Sequence, residues 1–256
     1  MSPADGKEEI TLETFGRTDV GRVRPTNQDA YLCGRLSDQT MFAVVCDGMG
    51  GASGGNVASA IAVRVISDRI VDGYRDGMSG NSVHNMLESA ISAANVEIYD
   101  AAMADPELRG MGTTVVAVIV DGAQAYIAHV GDSRAYRLSA GAAVMEQITK
   151  DHSVVQDMVE KGQLTQSEAR NHPRKHFITR ALGVEATVEC DYLEYALAEG
   201  DGLLICSDGL TNMVETEEIR RLAAATPQDE LADRLIAAAN MNGGSDNITV
   251  VLMLQE

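Results

Sequence analysis

Apolar residues along this chain fall into short runs closed by glycine, aspartate or asparagine, and into longer stretches with a helical repeat. The runs are TLETFGRT, MFAVVC, TTVVAVIV, QAYIAHV, SRAYRL, TVECDYLEYAL, GLLICS and ITVVLML. Rich in Val, Ile, Thr and Tyr and bounded by turn formers, they predict strands. Two helical patterns come early. Val57, Ile61 and Val65 recur at i, i+4 and i+8 after a glycine-rich segment, and Val83, Met86, Leu87, Ala90, Ile91, Ala94 and Ile98 trace one side of a longer helix. Between them, DGYRDGMSGN reads as a loop. A further helix opens in TPQDELADRLIAAAN, with Thr226 as N-cap, Pro227 at the first helical position, and Leu231 and Leu235 on the buried side. The strands come partly as adjacent hairpins and partly between helices. That order predicts an α+β fold with antiparallel sheets rather than strict βαβ alternation.

The stretch from Lys150 to Gly183 breaks the pattern. It is polar, carries His152, His172 and His176, and holds only short helical pieces, so it reads as a flap leaving the core. In HPRKH a proline follows His172, which disfavours His172 and His176 as a helical metal pair. The flap histidines therefore read as solvated. No internal repeat or low-complexity linker appears, and the 256 residues read as one domain.

Composition narrows the function classes. The apolar share of 45% is enough for a packed core, which the scarcity of aromatics leaves to aliphatic side chains. A net charge of −18 excludes nucleic acid or an anionic membrane as the main partner, since both demand a basic surface. Cys33, Cys46, Cys190 and Cys206 form no C-x-x-C pair, and Cys46 and Cys206 sit inside apolar runs; they read as free thiols of a reducing compartment. The amino terminus, MSPADGKEEI, is unlike a signal peptide, and no apolar run approaches the ~20 residues of a membrane span. A soluble cytoplasmic protein is expected.

The segment AVVCDGMGGASGGN, from Ala43 to Asn56, poses the chemical question. Asp47-Gly48 could be a hairpin turn, the start of a phosphate cradle, or a carboxylate delivered to a site. Asp121-Gly122 is the internal control: it separates two strand-like runs and reads as a two-residue hairpin turn. Asp47-Gly48 is followed instead by glycines and a helix. From Gly50 to Gly55 the spacing matches half of a Walker loop, but Asn56-Val57 stand where Lys and Ser/Thr belong. From Gly48 a dinucleotide pattern fails at Ser53, where the third glycine should be. The third reading gains from repetition, because Asp29, Asp132, Asp208 and Asp246 also lie at strand ends beside small residues. Any one is a common turn former. Five together are better explained by convergence on hard cations, and carboxylates without histidine or cysteine companions select Mg²⁺ or Mn²⁺ over zinc.

RPTNQDAYL, VVCDGMGG, GTT, HVGDSRAY, TRALG, ICSDGL and GGSDNITVVL, in this order, resemble the motif set of the metal-dependent protein serine/threonine phosphatases of the protein phosphatase 2C type, as found in single-domain bacterial members. The match runs from about Thr14 to Leu254. The resemblance implies a four-layer α-β-β-α sandwich of two antiparallel sheets flanked by helices, with a metal site at one edge. It implies that Asp47 bridges two Mn²⁺ or Mg²⁺ ions, with the Gly48 carbonyl as a further ligand. Asp208 and Asp246 would hold one ion, Asp29 would support the other through water, and Asp132 with Asp208 would hold a third. Arg24, five residues before Asp29, matches the phosphate-binding arginine. A water between the two ions would attack phosphorus directly, without a covalent intermediate, and Ser207 has no neighbouring histidine to make it a nucleophile.

Two positions depart from many relatives. Met49 stands where a histidine often follows Asp-Gly, leaving the general acid unassigned, and Gln28 replaces a glutamate, which would weaken the second ion. The implied partners are phosphorylated proteins, substrates of a serine/threonine kinase, acted on by a monomer. A catalytically silent binding module, a small-molecule phosphoesterase and a nucleotide binder are the competing readings.

Overall fold

The computed structural model describes residues 12–51 and 54–255. The polar amino-terminal stretch and Ser53 lie outside them. The first sheet takes β1 (Leu12–Asp19), β7 (Arg134–Leu138), β8 (Met145–Gln147), β10 (Gly202–Cys206) and β11 (Ile248–Gln255), in the order β1-β11-β10-β7-β8. The second takes β2 (Asp29–Arg35), β3 (Thr40–Met49), β5 (Val115–Asp121), β6 (Gln124–Val130) and β9 (Asp191–Ala196), in the order β2-β3-β5-β6-β9, with the short β4 (Gly112–Thr113) on the end of β3. Every pairing is antiparallel.

The period of two along each strand explains the layering. Ala43, Val45, Val116, Val118, Ile205, Val251 and Met253 point into a core shared by the two sheets. Their neighbours Val44, Cys46, Ala117 and Ile119 point the other way, onto α1 (Gly54–Gly73) and α2 (Gly80–Ala104). Leu204, Cys206, Val250 and Leu252 likewise meet Leu231 and Leu235 of α7 (Gln228–Met241). Central strands covered on both faces need unbroken apolar runs, which is why TTVVAVIV and ITVVLML do not alternate. Truncating Ile127 or Leu203, both fully buried, would cost about 2–5 kcal/mol. The expected four-layer sandwich is the fold observed.

Three local expectations shift. The buried side of α1 centres on Ala58, Ala62, Ile66 and Ile70; of the predicted stripe Val65 is buried, while Val57 and Ile61 are only half-buried. Ala58 and Ala62 let the first turns of the helix close on the sheet, with Val57 and Ile61 to the side. Thr226 closes α6 (Thr216–Ala225), and α7 starts at Gln228 because Pro227 is extended at φ −53°, ψ 144°. The β5–β6 turn is Gly122-Ala123, with Gly122 at φ +53°, while Asp121 ends its strand opposite Gln124. Asp121 is therefore not a turn residue. Its carboxylate accepts a hydrogen bond from the Tyr74 hydroxyl at 2.6 Å.

Candidate metal centre

The strand ends gather four of the five aspartates around one cavity. Asp47 lies near the end of β3, Asp132 in the β6–β7 turn, Asp208 at the start of the single-turn helix α5 (Asp208–Thr211) after β10, and Asp246 just before β11. All four line a cavity of about 610 Å³ together with Arg24, Gly48 and Met49. Asp29 pairs with Asp47 across β2 and β3 but lies behind this lining.

Local geometry explains the residue types. A Cβ at Gly48 would lie 2.1 Å from the Gly55 carbonyl oxygen and 2.5 Å from that of Gln28, so only glycine fits. The Asp47 N–H donates to Thr114 Oγ1 at 3.0 Å, and the Thr114 hydroxyl lies 2.7 Å from that of Ser133, beside Asp132. Asn247 Nδ2 donates to the carbonyls of Val20 and Thr26, holding the Arg24 loop next to Asp246. Asn212 donates to Asp208 Oδ2 at 2.8 Å.

The charges are crowded. Burial first, then the charges of Asp29, Asp208, Asp132 and Asp246, hold the Asp47 carboxyl well above the usual range. Burial, then Asp208 and Asp151, does the same to Asp132, against the opposing pull of Arg134. Burial pushes Asp29 up to about 7 even though its Oδ2 accepts from Ser207 Oγ and Thr249 Oγ1, each at 2.7 Å. Its Oδ1 is buried without a hydrogen-bond partner. Oxygen donors that repel one another, with an orphaned carboxylate oxygen among them, fit hard divalent cations.

Arg24 reaches the cavity half-exposed, and its NH2 donates to Asp246 Oδ2 at 2.8 Å. A guanidinium carries five donors, so others remain for an incoming anion. Gln28 is spent partly on structure, donating through Nε2 to the Gly51 carbonyl at 3.0 Å. Ser207 is fully buried and its hydroxyl serves Asp29 and the Thr249 N–H, which leaves it no nucleophilic part.

The reading of the flap histidines as solvated needs correction. His152 is buried at 6% exposure and stacks on buried His129 with ring centroids 4.7 Å apart. His129, His152 and Asp191 bring ligand atoms within 4.8 Å of one another. They do not suit a cation. His152 Nδ1 accepts from the Gly131 N–H, so its Nε2 carries the proton and faces Asp191 Oδ2 at 3.3 Å. Arg180 already neutralises Asp191 at 2.7 Å. Burial lowers both imidazoles, His129 to about 4, which keeps them neutral. His172 is half-buried and His176 is exposed, and His176 lines the cavity with Nδ1 3.9 Å from Asp208 Oδ2.

Thr249, Thr114, Ser133, Asn247 and Asn212 escaped the sequence reading, and of Ser207 it said only that it is no nucleophile. Ser207, Ser133 and Asn247 sit beside aspartates in the quoted motifs, as CSD, GDS and SDN, and that adjacency was the available signal; Thr114 and Thr249 lie within motifs but next to no aspartate.

A sandwich of this kind with a carboxylate-lined edge defines a class of phosphatase, and sequence comparison agrees. The family described as Protein phosphatase 2C matches residues 22–251, and the chain belongs to that family. The serine/threonine phosphatase stp of Listeria innocua is 43% identical over 93% of each chain. Among solved structures, the serine/threonine phosphatase Stp1 from Staphylococcus aureus superposes with a TM-score of 0.88 at 36% identity, covering 96% of each chain. The catalytic domain of the phosphatase PstP, in complex with two manganese ions, superposes at 0.82 with 34% identity, over 96% of this chain and 99% of that one.

Proposed function

We propose that this protein removes phosphate from phosphoserine and phosphothreonine in proteins at a centre of Mn²⁺ or Mg²⁺ ions. The observation that carries the reading is the set of four carboxylates, Asp47, Asp132, Asp208 and Asp246, opening into one cavity. Asp47, Asp208, Asp246 and the Gly48 carbonyl would hold two core ions, with Asp29 supporting from behind and Asp132 with Asp208 holding a third. Divalent cations there supply Lewis acidity, lowering the pKa of water and offsetting charge on the transferring phosphoryl group.

The chain's own residues do the rest. Arg24 presents N–H donors to the phosphate oxygens, and Asp246 fixes the direction of its guanidinium. Thr114 and Ser133 hold the Asp47 and Asp132 loops together, so that the carboxylates keep one geometry through turnover. Met49 lines the cavity and brings no titratable group, so the general acid is not this residue. The four cysteines are free thiols, and among the described residues no helix is long and apolar enough to cross a membrane. With these features we read the enzyme as a cytoplasmic monomer opposing a serine/threonine kinase, its 256 residues forming one catalytic domain.

Dephosphorylation of phosphothreonine peptides tests the reading: activity should vanish in chelator and return with Mn²⁺ or Mg²⁺. Full turnover in chelator would refute it.

A further inference from the structure

A second cavity, about 630 Å³, opens beside the metal centre and shares Met49 and Ile178 with it. Val184 and Val188 extend the apolar lining, and Glu185 and Glu189 stand exposed among them. Val184 is 51% exposed, and with Met49, Ile178 and Val188 it lines one continuous groove rather than standing alone.

The wall of this groove is built rather than loose. Asn95 of α2 is 1% exposed, and its Oδ1 accepts from the Gly183 N–H at 2.8 Å. Its Nδ2 donates to the carbonyls of Glu185 at 3.0 Å and Ala186 at 3.2 Å. Gly183 itself has φ +83°, and a Cβ there would lie 2.1 Å from Ile98 Cγ2, which pins the backbone against α2. Arg180 also lines the groove, but Asp191 takes its charge at 2.7 Å. The groove therefore presents a fixed apolar surface with an acidic edge.

Hydrolysis of a phosphate ester needs nothing from this surface, yet the groove gives a protein substrate whose phosphate sits in the metal centre a path past Met49 and Ile178. An extended chain advances about 3.3 Å per residue, so residues a few positions from the phosphorylated one reach the groove. We propose that the groove is a substrate subsite for a phosphopeptide segment, seating an apolar flanking side chain on Ile178, Val184 and Val188 and a Lys or Arg against Glu185 and Glu189. The inference rests on the metal centre being a phosphoprotein phosphatase site. Continuity with that centre and the acidic edge favour this occupant, and the net charge of −18 points the same way, toward basic substrate segments.

The test uses the full chain with Mn²⁺, p-nitrophenyl phosphate, and short phosphothreonine peptides differing only in their flanks: Leu with Arg, Leu with Glu, and Gly with Ser. The flanks are placed in turn on either side of the phosphothreonine. On one side, the Leu/Arg peptide should exceed the Leu/Glu peptide about tenfold in kcat/KM, carried by KM, from two rim charges and the reordered side chains they hold. Glu185→Lys combined with Glu189→Lys should invert that order, and Val184→Asp should erase the advantage of Leu over Gly. Reversal at two exposed glutamates leaves the core untouched, so it decides the matter even if Val184→Asp fails to fold. Equal kcat/KM for all peptides in the wild type, or an unchanged order in the charge-reversed variant, would overturn the subsite. A wild type that hydrolyses neither p-nitrophenyl phosphate nor any peptide would overturn the metal-centre reading instead.

Discussion

Asp47→Asn and Asp121→Asn make the same chemical change at two Asp-Gly pairs, and the structure separates their consequences. Asp121 uses its carboxylate to accept from the Tyr74 hydroxyl at 2.6 Å. Asparagine keeps a carbonyl oxygen for that bond and loses only the help of the charge, a cost of about 0.5–1.5 kcal/mol. Activity should persist. Asp47 has the opposite balance, because burial and four neighbouring aspartates make its charge a burden until cations arrive. Removing that charge should stabilise the metal-free protein by about 0.5–2 kcal/mol, the usual return when a strained functional group is relieved. The gain should reverse with metal. A ligand at a hundred times its Kd adds about 2.7 kcal/mol to the wild type, and the variant, lacking the carboxylate proposed as a metal ligand, should gain much less. Urea melts in chelator and in Mn²⁺, with phosphothreonine peptide turnover in parallel, give all three readouts. The reasoning fails if metal-free Asp47→Asn is less stable than wild type, or if the two variants behave alike.

Arg24→Ala should lower kcat/KM roughly ten- to a hundredfold, from the loss of ~1.5–3 kcal/mol of charged hydrogen bonding, while Mn²⁺ binding is retained, since Asp246 loses only a competing positive charge. Arg24→Lys should recover part of that loss, and a lysine variant equal to wild type would rule out a two-pronged contact with phosphate. Asp132→Ala should reduce turnover while calorimetry still counts two tightly bound ions; loss of all metal binding would show that Asp132 belongs to the core pair. His129, held neutral at about 4 against an ordinary 6.5, leaves the unfolded chain to take up the proton first. Its contribution is fully present above about 6.5 and is lost as pH falls toward 4, amounting to ~3 kcal/mol at most. Urea melts of wild type and His129→Gln across that window should diverge in slope, and parallel curves would refute the assignment.

What the sequence disclosed followed from periodicity and from motif order. Continuous apolar runs marked the central strands because both faces of each sheet are covered, and Leu87, Ile91 and Ile98 marked α2 because one side of it is covered. Asp47, Asp132, Asp208 and Asp246 could be picked out because each follows or precedes such a run. Contacts between distant parts of the chain left no such mark. The pairing of Arg24 with Asp246 and the hydroxyls of Ser207 and Thr249 on Asp29 join residues far apart in sequence, and no spacing rule encodes them. His152 misled for a related reason. Its neighbours are polar, yet the chain folds back so that His129 covers its ring. On α1 the apolar residues are too many for one stripe, and the packing against the sheet, not the spacing alone, leaves Val57 and Ile61 half-buried.

Asp29 belongs to one sheet, whereas Thr249 belongs to the other and Ser207 follows that sheet's β10, so a single carboxylate fastens the two layers at 2.7 Å on each hydroxyl. The alignment of the sandwich and the occupancy of its edge are then one thermodynamic quantity seen from two places. A substitution deep between the sheets, such as Ala43→Leu, would slide one layer over the other and be felt as weaker cation affinity, with no ligand changed. By reciprocity, bound cations resist that slide to the same extent. If the proposed cations bind at this edge, the tolerance of the core is set partly at its rim, by the Asp29 contacts that join the two sheets.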